Sequence, residues 1–230
     1  MYYLYDYTGY GLVIIGAIIT LVAQFLVNNR YNKYKKINSE KGLTGVEVAR
    51  QILDENGLQE VHVTETSGLL SDHYDPIRKV VRLSHDVFHG TSIASISVAA
   101  HECGHAIQHK DGYIFIKIRG FLVPFVNFGS NFGYIAIMLG LVLGWFDLAW
   151  AGVGLLLLLL LFQLVTLPTE FNASSRAIKI LEQDNILSSH ELSGSKQMLG
   201  AAALTYVAGL ASTLLQILRL VLIVGNRDDR

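Results

Sequence analysis

Four stretches of the chain carry no charged residue over lengths that suit membrane-spanning helices. A helix needs about 20 apolar residues to cross the hydrocarbon core of a bilayer. The uncharged stretches contain 23, 27, 22 and 22 residues, which is more than the buried helices of a soluble protein of 230 residues would supply. The pattern therefore predicts four transmembrane helices, at about residues 9–28, 121–144, 148–167 and 199–224.

The polar residues are concentrated in two segments, residues 29–120 and 168–198. Thr44 and Glu47 form a capping box, which predicts a helix over about residues 45–56. Alternating apolar positions and turn residues predict a small sheet in the same segment. Its expected strands are residues 61–65, 69–74 and 80–83, the last two joined as a hairpin, and a further helix is expected from Thr91 or Ser92 to Lys110.

The distribution of basic residues predicts which side of the membrane the polar segments face. Of the 18 lysines and arginines, 12 lie in residues 28–120, three in 168–198 and three from Arg219 onward. Cytoplasmic loops of membrane proteins are enriched in these residues. We therefore expect a multi-pass protein of the plasma membrane, with its N-terminus outside and its polar segments in the cytoplasm.

Composition narrows the classes of function. The chain has 18 basic and 19 acidic residues and a net charge of -1, which argues against a nucleic-acid partner. Apolar residues make up 51% of the chain, so it can bury enough apolar surface to fold and disorder is excluded. A single cysteine, Cys103, excludes an internal disulfide framework.

His101, Glu102 and His105 form the pattern His-Glu-x-x-His within the helix that is predicted to end at Lys110. Residues four apart share one face of an α-helix, so both imidazoles can bind one tetrahedral metal ion. Glu102 can then reach a water molecule in the open position of the ion and take its proton. The pattern is typical of a zinc site that activates water for peptide hydrolysis.

A zinc site of this kind needs a third protein ligand. Asp111 and His109 lie downstream on the same helix, but Gln108 stands where a glycine turn is needed, and histidines on three successive turns converge poorly. Glu170 is the better candidate. Pro168 predicts that the third span ends there and a new helical segment begins, which places Glu170 one or two residues past the membrane. The number of spans places it on the same side of the membrane as His101.

Three segments closely resemble the bacterial membrane-bound neutral zinc metallopeptidases, the YugP-like family. They are His101-Glu-Cys-Gly-His-Ala-Ile-Gln108, the upstream segment Gly68-Leu-Leu-Ser-Asp-His-Tyr-Asp-Pro76 and the downstream segment Glu170-Phe-Asn-Ala-Ser-Ser-Arg176. More distantly, the chain is similar to membrane gluzincins of the HtpX and CAAX-protease type, whose third zinc ligand is a glutamate after the second pair of spans.

The resemblance implies one zinc ion per chain, with Glu102 as the general base and three ligands, His101, His105 and Glu170. The four predicted spans and the family resemblance together predict an α-helical integral membrane protein with four transmembrane helices and a small α+β, zincin-like cytoplasmic head. We expect a single metallopeptidase domain over residues 1–230, with the head formed by about residues 29–120 and 168–198.

Several other polar residues are candidates for supporting roles. In the distant relatives an aspartate four residues past the ligand glutamate supports a ligand histidine. Ser174 occupies that position here and Asn172 is the other polar neighbour, so each is a candidate partner of an imidazole N–H. The candidate donors to the oxyanion of peptide hydrolysis are His73, Tyr74, His109 and Arg176. The remaining histidines are expected at the surface or in turns: His62, His85, His89 and His190.

These observations predict a zinc-dependent endopeptidase that acts on peptide or protein substrates at the cytoplasmic face of the lipid bilayer, with membrane-protein quality control as a candidate role. Two alternatives are a site-2-type intramembrane protease and a non-catalytic membrane protein stabilised by zinc. The helix that carries His101 is too polar for the first, and Glu102 has no use in the second.

Overall fold

The computed structural model describes residues 7–68 and 71–228, and within these ranges the chain is mostly helical. The helices are α1 (Tyr7–Tyr34), α2 (Gly45–Glu55), α3 (His85–Phe88), α4 (Ile93–Lys110), α5 (Ile114–Leu143), α6 (Phe146–Gln183) and α7 (Ser189–Asp228). The strands are β1 (His62–Thr66), β2 (His73–Asp75) and β3 (Val80–Ser84).

In the described part of the chain, α1, α5, α6 and α7 are each long and apolar enough to cross a membrane. The presence of four long apolar helices and of a small sheet, both predicted, is therefore confirmed. The chain divides into two compact units. One contains the described residues up to 24, residues 118–167 and the described residues from 204 onward; the other, the head unit, contains residues 25–117 and 168–203.

The apolar unit is held together by close helix packing. A Cβ atom added to Gly152 of α6 would lie 2.6 Å from the carbonyl oxygen of Gly133 of α5, so only glycine permits this approach. Gly129 approaches the Leu155 carbonyl in the same way. A cluster of buried apolar side chains accompanies these contacts: Ile137, Ala149, Val153, Leu156, Ile217 and Val224.

Helix α2 of the head unit begins with the predicted capping box. The backbone N–H of Thr44 donates to the Glu47 carboxylate at 2.8 Å, and the Glu47 N–H donates to the Thr44 hydroxyl at 3.4 Å. The helix ends at Glu55, one residue before the predicted end. Its fully buried side chains, including Val48 and Ile52, belong to the same apolar core as those of α4.

The three strands form one sheet in the order β1-β3-β2. β1 runs parallel to β3, and β2 is antiparallel to β3, so the predicted hairpin is present. Of the strand predicted over residues 69–74, Leu69 and Leu70 lie outside the described residues. Ser71 and Asp72 are not in a strand, so the prediction is wrong for them, and β2 starts at His73. Asp72 lies outside the ladder, and its carboxylate accepts the backbone N–H of Ser84 at 2.7 Å.

The sequence also suggests that a new helix begins at Pro168, and this expectation is wrong. α6 continues through Pro168 to Gln183. Proline removes one N–H from the hydrogen-bond ladder of a helix, and here that loss does not interrupt the helix. Glu170 consequently lies within a regular helix, and its position is set by the helical register of α6.

Candidate metal centre

Helix α4 carries the two histidines of the His-Glu-x-x-His pattern. The helix starts as predicted, with Ser92 as its N-cap, and the Ser92 hydroxyl accepts the backbone N–H of Ser95 at 3.1 Å. His101 and His105 lie one turn apart, and their ring centroids are separated by 4.8 Å. The helical register therefore places the two imidazoles side by side, as their spacing predicts.

Glu170 reaches these imidazoles because α6 packs closely against α4. A Cβ atom on Gly104 of α4 would lie 2.7 Å from the carbonyl oxygen of Ala173 of α6. Ala173 and Ala177 are fully buried, and both are small enough to lie beneath α4. Glu170 is one turn before Ala173 on the same face, so its side chain meets the motif.

The ligand atoms of His101, His105 and Glu170 have a spacing that fits a metal ion. Oε2 of Glu170 lies 3.4 Å from Nε2 of His101 and 3.6 Å from Nε2 of His105. Atoms bound to a tetrahedral zinc ion at about 2.0–2.2 Å lie roughly 3.3–3.6 Å apart. Two imidazoles and one carboxylate are also a common ligand set of zinc in hydrolases.

Hydrogen bonds on the far side of each imidazole leave its Nε2 directed at this cluster. Nδ1 of His105 lies 3.0 Å from Oε1 of Gln108, and since an amide oxygen only accepts, Nδ1 carries the proton. The lone pair of Nε2 is then available to a metal. Nδ1 of His101 lies 3.2 Å from the Ser174 hydroxyl, one of the two partners expected from the sequence.

Gln108 connects His105 to α6 and is fully buried. Its amide group donates to the carbonyl of Thr169 at 2.7 Å and to Oδ1 of Asn172 at 3.0 Å. Asn172 therefore reaches the imidazole only through Gln108. The sequence reasoning missed this role of Gln108, although its position three residues after His105 places it on the same helix face.

Arg176 extends the same network. Its Nε donates to Oδ1 of Asn172 at 2.8 Å, and its Nη1 lies 2.6 Å from Oδ2 of Asp111. The ion pair joins the end of α4 to α6. Asp111, considered above as a third ligand, is thus engaged by Arg176, and the group that faces both histidines is Glu170.

Glu102 and Glu170 give the site a strongly anionic character. Glu102 is buried, with 8% of its surface exposed, and Glu170 is buried as well. Burial alone would lower the pKa of His105, but the hydrogen bond to Glu170 and the charges of Glu102 and Glu170 outweigh this effect and raise its pKa. A site of this charge favours a cation.

Tyr74 and His109, two of the candidate oxyanion donors, are neighbours near the end of α4. The Tyr74 hydroxyl lies 3.4 Å from Nδ1 of His109, one turn beyond His105. Burial and the charges of Glu60 and Asp75 raise the pKa of Tyr74, so its phenol is protonated at neutral pH. His73 is turned to its own loop, with Nδ1 2.7 Å from the Ser71 carbonyl.

Cys103 takes no part in the cluster. It is completely buried, and its thiol donates to the Ala49 carbonyl over 3.6 Å. Burial raises the pKa of the thiol well above its usual value, so it is protonated and not a nucleophilic thiolate at neutral pH.

Comparison with known proteins identifies the family of this chain. The sequence profile of a family described as "Putative neutral zinc metallopeptidase" matches residues 10–225. The chain belongs to this family. It is 46% identical over 207 residues to the "Putative membrane protease YugP" of Bacillus subtilis, an alignment that covers 90% of this chain and 92% of that protein. No solved structure matches the chain.

Membership of this zinc metallopeptidase family confirms the YugP-like resemblance predicted from the sequence. The family supports zinc as the metal and peptide hydrolysis as the chemistry. The similar protein from Bacillus subtilis is described as a membrane protease, in agreement with the four apolar helices of this chain.

Replacement of Gln108 tests how the imidazole of His105 is oriented. We expect Gln108→Ala to weaken zinc binding by about 10- to 100-fold, because Nδ1 loses its acceptor and the ring can rotate. Zinc affinity is measured by competition with a chromogenic chelator in detergent.

Ser97→Ala is the matched control, because Ser97 is buried on the same helix but bonds to the Ile93 carbonyl and Ser195. The control should bind zinc as the wild type does. Equal affinity of the wild type and Gln108→Ala would show that Gln108 does not orient the ligand.

Proposed function

We propose that the chain is a membrane-anchored zinc endopeptidase of the His-Glu-x-x-His type. In this proposal His101, His105 and Glu170 hold one zinc ion per chain, and Glu102 is the general base. The observation that carries the proposal is the convergence of the Nε2 atoms of both histidines on Oε2 of Glu170 at 3.4 and 3.6 Å.

When bound, zinc supplies a Lewis acid that polarises the peptide carbonyl and lowers the pKa of a water molecule. The protein supplies the groups that move the proton. The carboxylate of Glu102 takes a proton from the attacking water and passes it to the leaving amine. Its burial favours this role, because bulk water is largely kept away from the carboxylate.

The pair Tyr74 and His109 is our candidate for stabilising the oxyanion of the tetrahedral intermediate. His109 lies one turn beyond His105 on α4, and the Tyr74 hydroxyl of β2, a protonated donor, lies 3.4 Å from its Nδ1. Arg176 is less suited, because its guanidinium already bonds to Asp111 and Asn172. His73 is less suited for the same reason, since its Nδ1 faces the Ser71 carbonyl.

The polarity of α4 favours this proposal over a site-2-type intramembrane protease. Within the described residues, the helices that could cross a membrane are α1, α5, α6 and α7, and α4 is not among them. The presence of Glu102 beside the ligands argues against a purely structural zinc site, which needs no base. We place the active site in a zincin-like head on the cytoplasmic face of the plasma membrane, where protein quality control would supply substrates.

Replacement of Glu102 tests the catalytic role. We expect Glu102→Gln to keep zinc but to hydrolyse β-casein at least about 100-fold more slowly than the wild type, because the amide accepts no proton from water. Cleavage is followed by gel electrophoresis of the detergent-solubilised proteins. The exposed Glu55→Gln on α2 is the control and should keep full activity. Wild-type rates in a zinc-loaded Glu102→Gln protein would contradict the proposal.

Single cysteines test the orientation of the chain. Cys103 is the only natural cysteine and is fully buried, so it leaves little background reactivity. We expect Trp145→Cys, between α5 and α6, to react with a membrane-impermeant maleimide on intact cells. His190→Cys, exposed in the head unit, should react only after lysis. The reverse pattern would place the head outside the cell.

A further inference from the structure

A second group of metal-binding side chains lies on the surface of the head unit, apart from the centre described above. It consists of Glu65, His85 and His89, which we call the surface triad. All three are exposed, and one ligand atom from each lies within 4.8 Å of the others. The triad shares no residue with the cluster around Glu170.

The fold places the surface triad by two independent constraints. Parallel pairing of β1 with β3 sets Glu65 opposite Leu83, and β3 ends one residue later, at Ser84. α3 starts directly at His85, and His89 lies one helical turn further on, as its C-cap. Sheet register therefore brings Glu65 beside His85, and helical register brings His89 to the same side.

The carboxylate of Glu65 already contacts both imidazoles. Oε1 of Glu65 lies 2.6 Å from Nδ1 of His85, and Oε2 lies 3.1 Å from Nε2 of His89. The two rings are adjacent, with centroids 4.9 Å apart. Conversion of these hydrogen bonds into metal bonds requires the ligand atoms to separate by less than about 1 Å, which exposed side chains permit.

The chemistry of the surface triad suits a borderline divalent ion. Imidazoles favour zinc, copper and nickel, and the carboxylate adds a negative charge. Asp86, next to His85, brings a second carboxylate nearby, and its own ion pair is with Lys35 at 2.5 Å. Solvent has direct access to the site, so water molecules can complete the coordination shell.

We propose that the surface triad binds one divalent transition-metal ion, with zinc as the ion of choice, at Nδ1 of His85, Nε2 of His89 and the Glu65 carboxylate. The bound ion cross-links β1 to α3. α3 leads into α4, and the Asp86 carbonyl accepts the Ser95 hydroxyl of α4 at 3.1 Å. The ion therefore stabilises the part of the head that precedes the His-Glu-x-x-His pattern.

Zinc binding by the intact, detergent-solubilised chain tests the proposal independently of catalysis. Isothermal titration calorimetry of the metal-free protein with zinc should show two equivalents of bound zinc per chain for the wild type. The double variant His85→Ala/His89→Ala should bind one equivalent. Glu65→Gln should weaken the same binding event at least tenfold while preserving the shape of the side chain.

Two further proteins separate the surface triad from the catalytic proposal. The variant His101→Ala/His105→Ala should still bind the one equivalent of zinc that belongs to the surface triad. Zinc should therefore raise the melting temperature of this variant. Additional replacement of His85 and His89 by alanine should abolish that increase. His62→Ala/His190→Ala removes two exposed histidines outside the triad and should bind two equivalents. Unchanged stoichiometry in His85→Ala/His89→Ala, or loss of the second equivalent in His62→Ala/His190→Ala, would overturn the proposal.

Discussion

The close packing of α4 against α6 is the contact on which the candidate centre depends. A two-histidine helix face is available wherever two histidines are four residues apart, but the third donor has to come from another element. Here Gly104 allows the Ala173 backbone to approach so closely that a single added Cβ would collide with it. This contact brings a glutamate that is distant in sequence, Glu170, within 4 Å of both imidazoles.

A buried carboxylate is costly unless its charge is compensated. Glu170 is compensated by the two imidazoles, and Gln108 and Ser174 hold these rings from behind. Arg176 of α6 then bonds to Asp111 at the end of α4 and to Asn172, which also accepts from Gln108. The polar groups of this region form one connected network, which fixes the ligands before an ion arrives and reduces the entropy lost on binding.

Features that depend on residues close together in the sequence could be predicted, whereas those that depend on contacts between distant segments were harder to predict or were missed. His101 and His105 could be predicted because helical periodicity alone places them together, and the capping box of Thr44 and Glu47 is equally local. The prediction of Glu170 as the third ligand required the count of membrane spans and the family resemblance. The continuation of α6 through Pro168 was not predicted, because proline usually marks a helix start or end. The surface triad was not predicted either, since it depends on the parallel register of β1 and β3, which the sequence does not reveal.

Zinc content of purified protein tests the central claim most directly. The measurement uses the double variant His85→Ala/His89→Ala, which lacks the surface triad, so that only zinc bound at the centre on α4 and α6 is measured. We expect about one zinc ion per chain in this background, none after additional Glu170→Ala, and one again in the control Glu182→Ala, an exposed glutamate on the same helix. Full zinc occupancy in the Glu170→Ala protein would contradict the account, because the third ligand would then lie elsewhere.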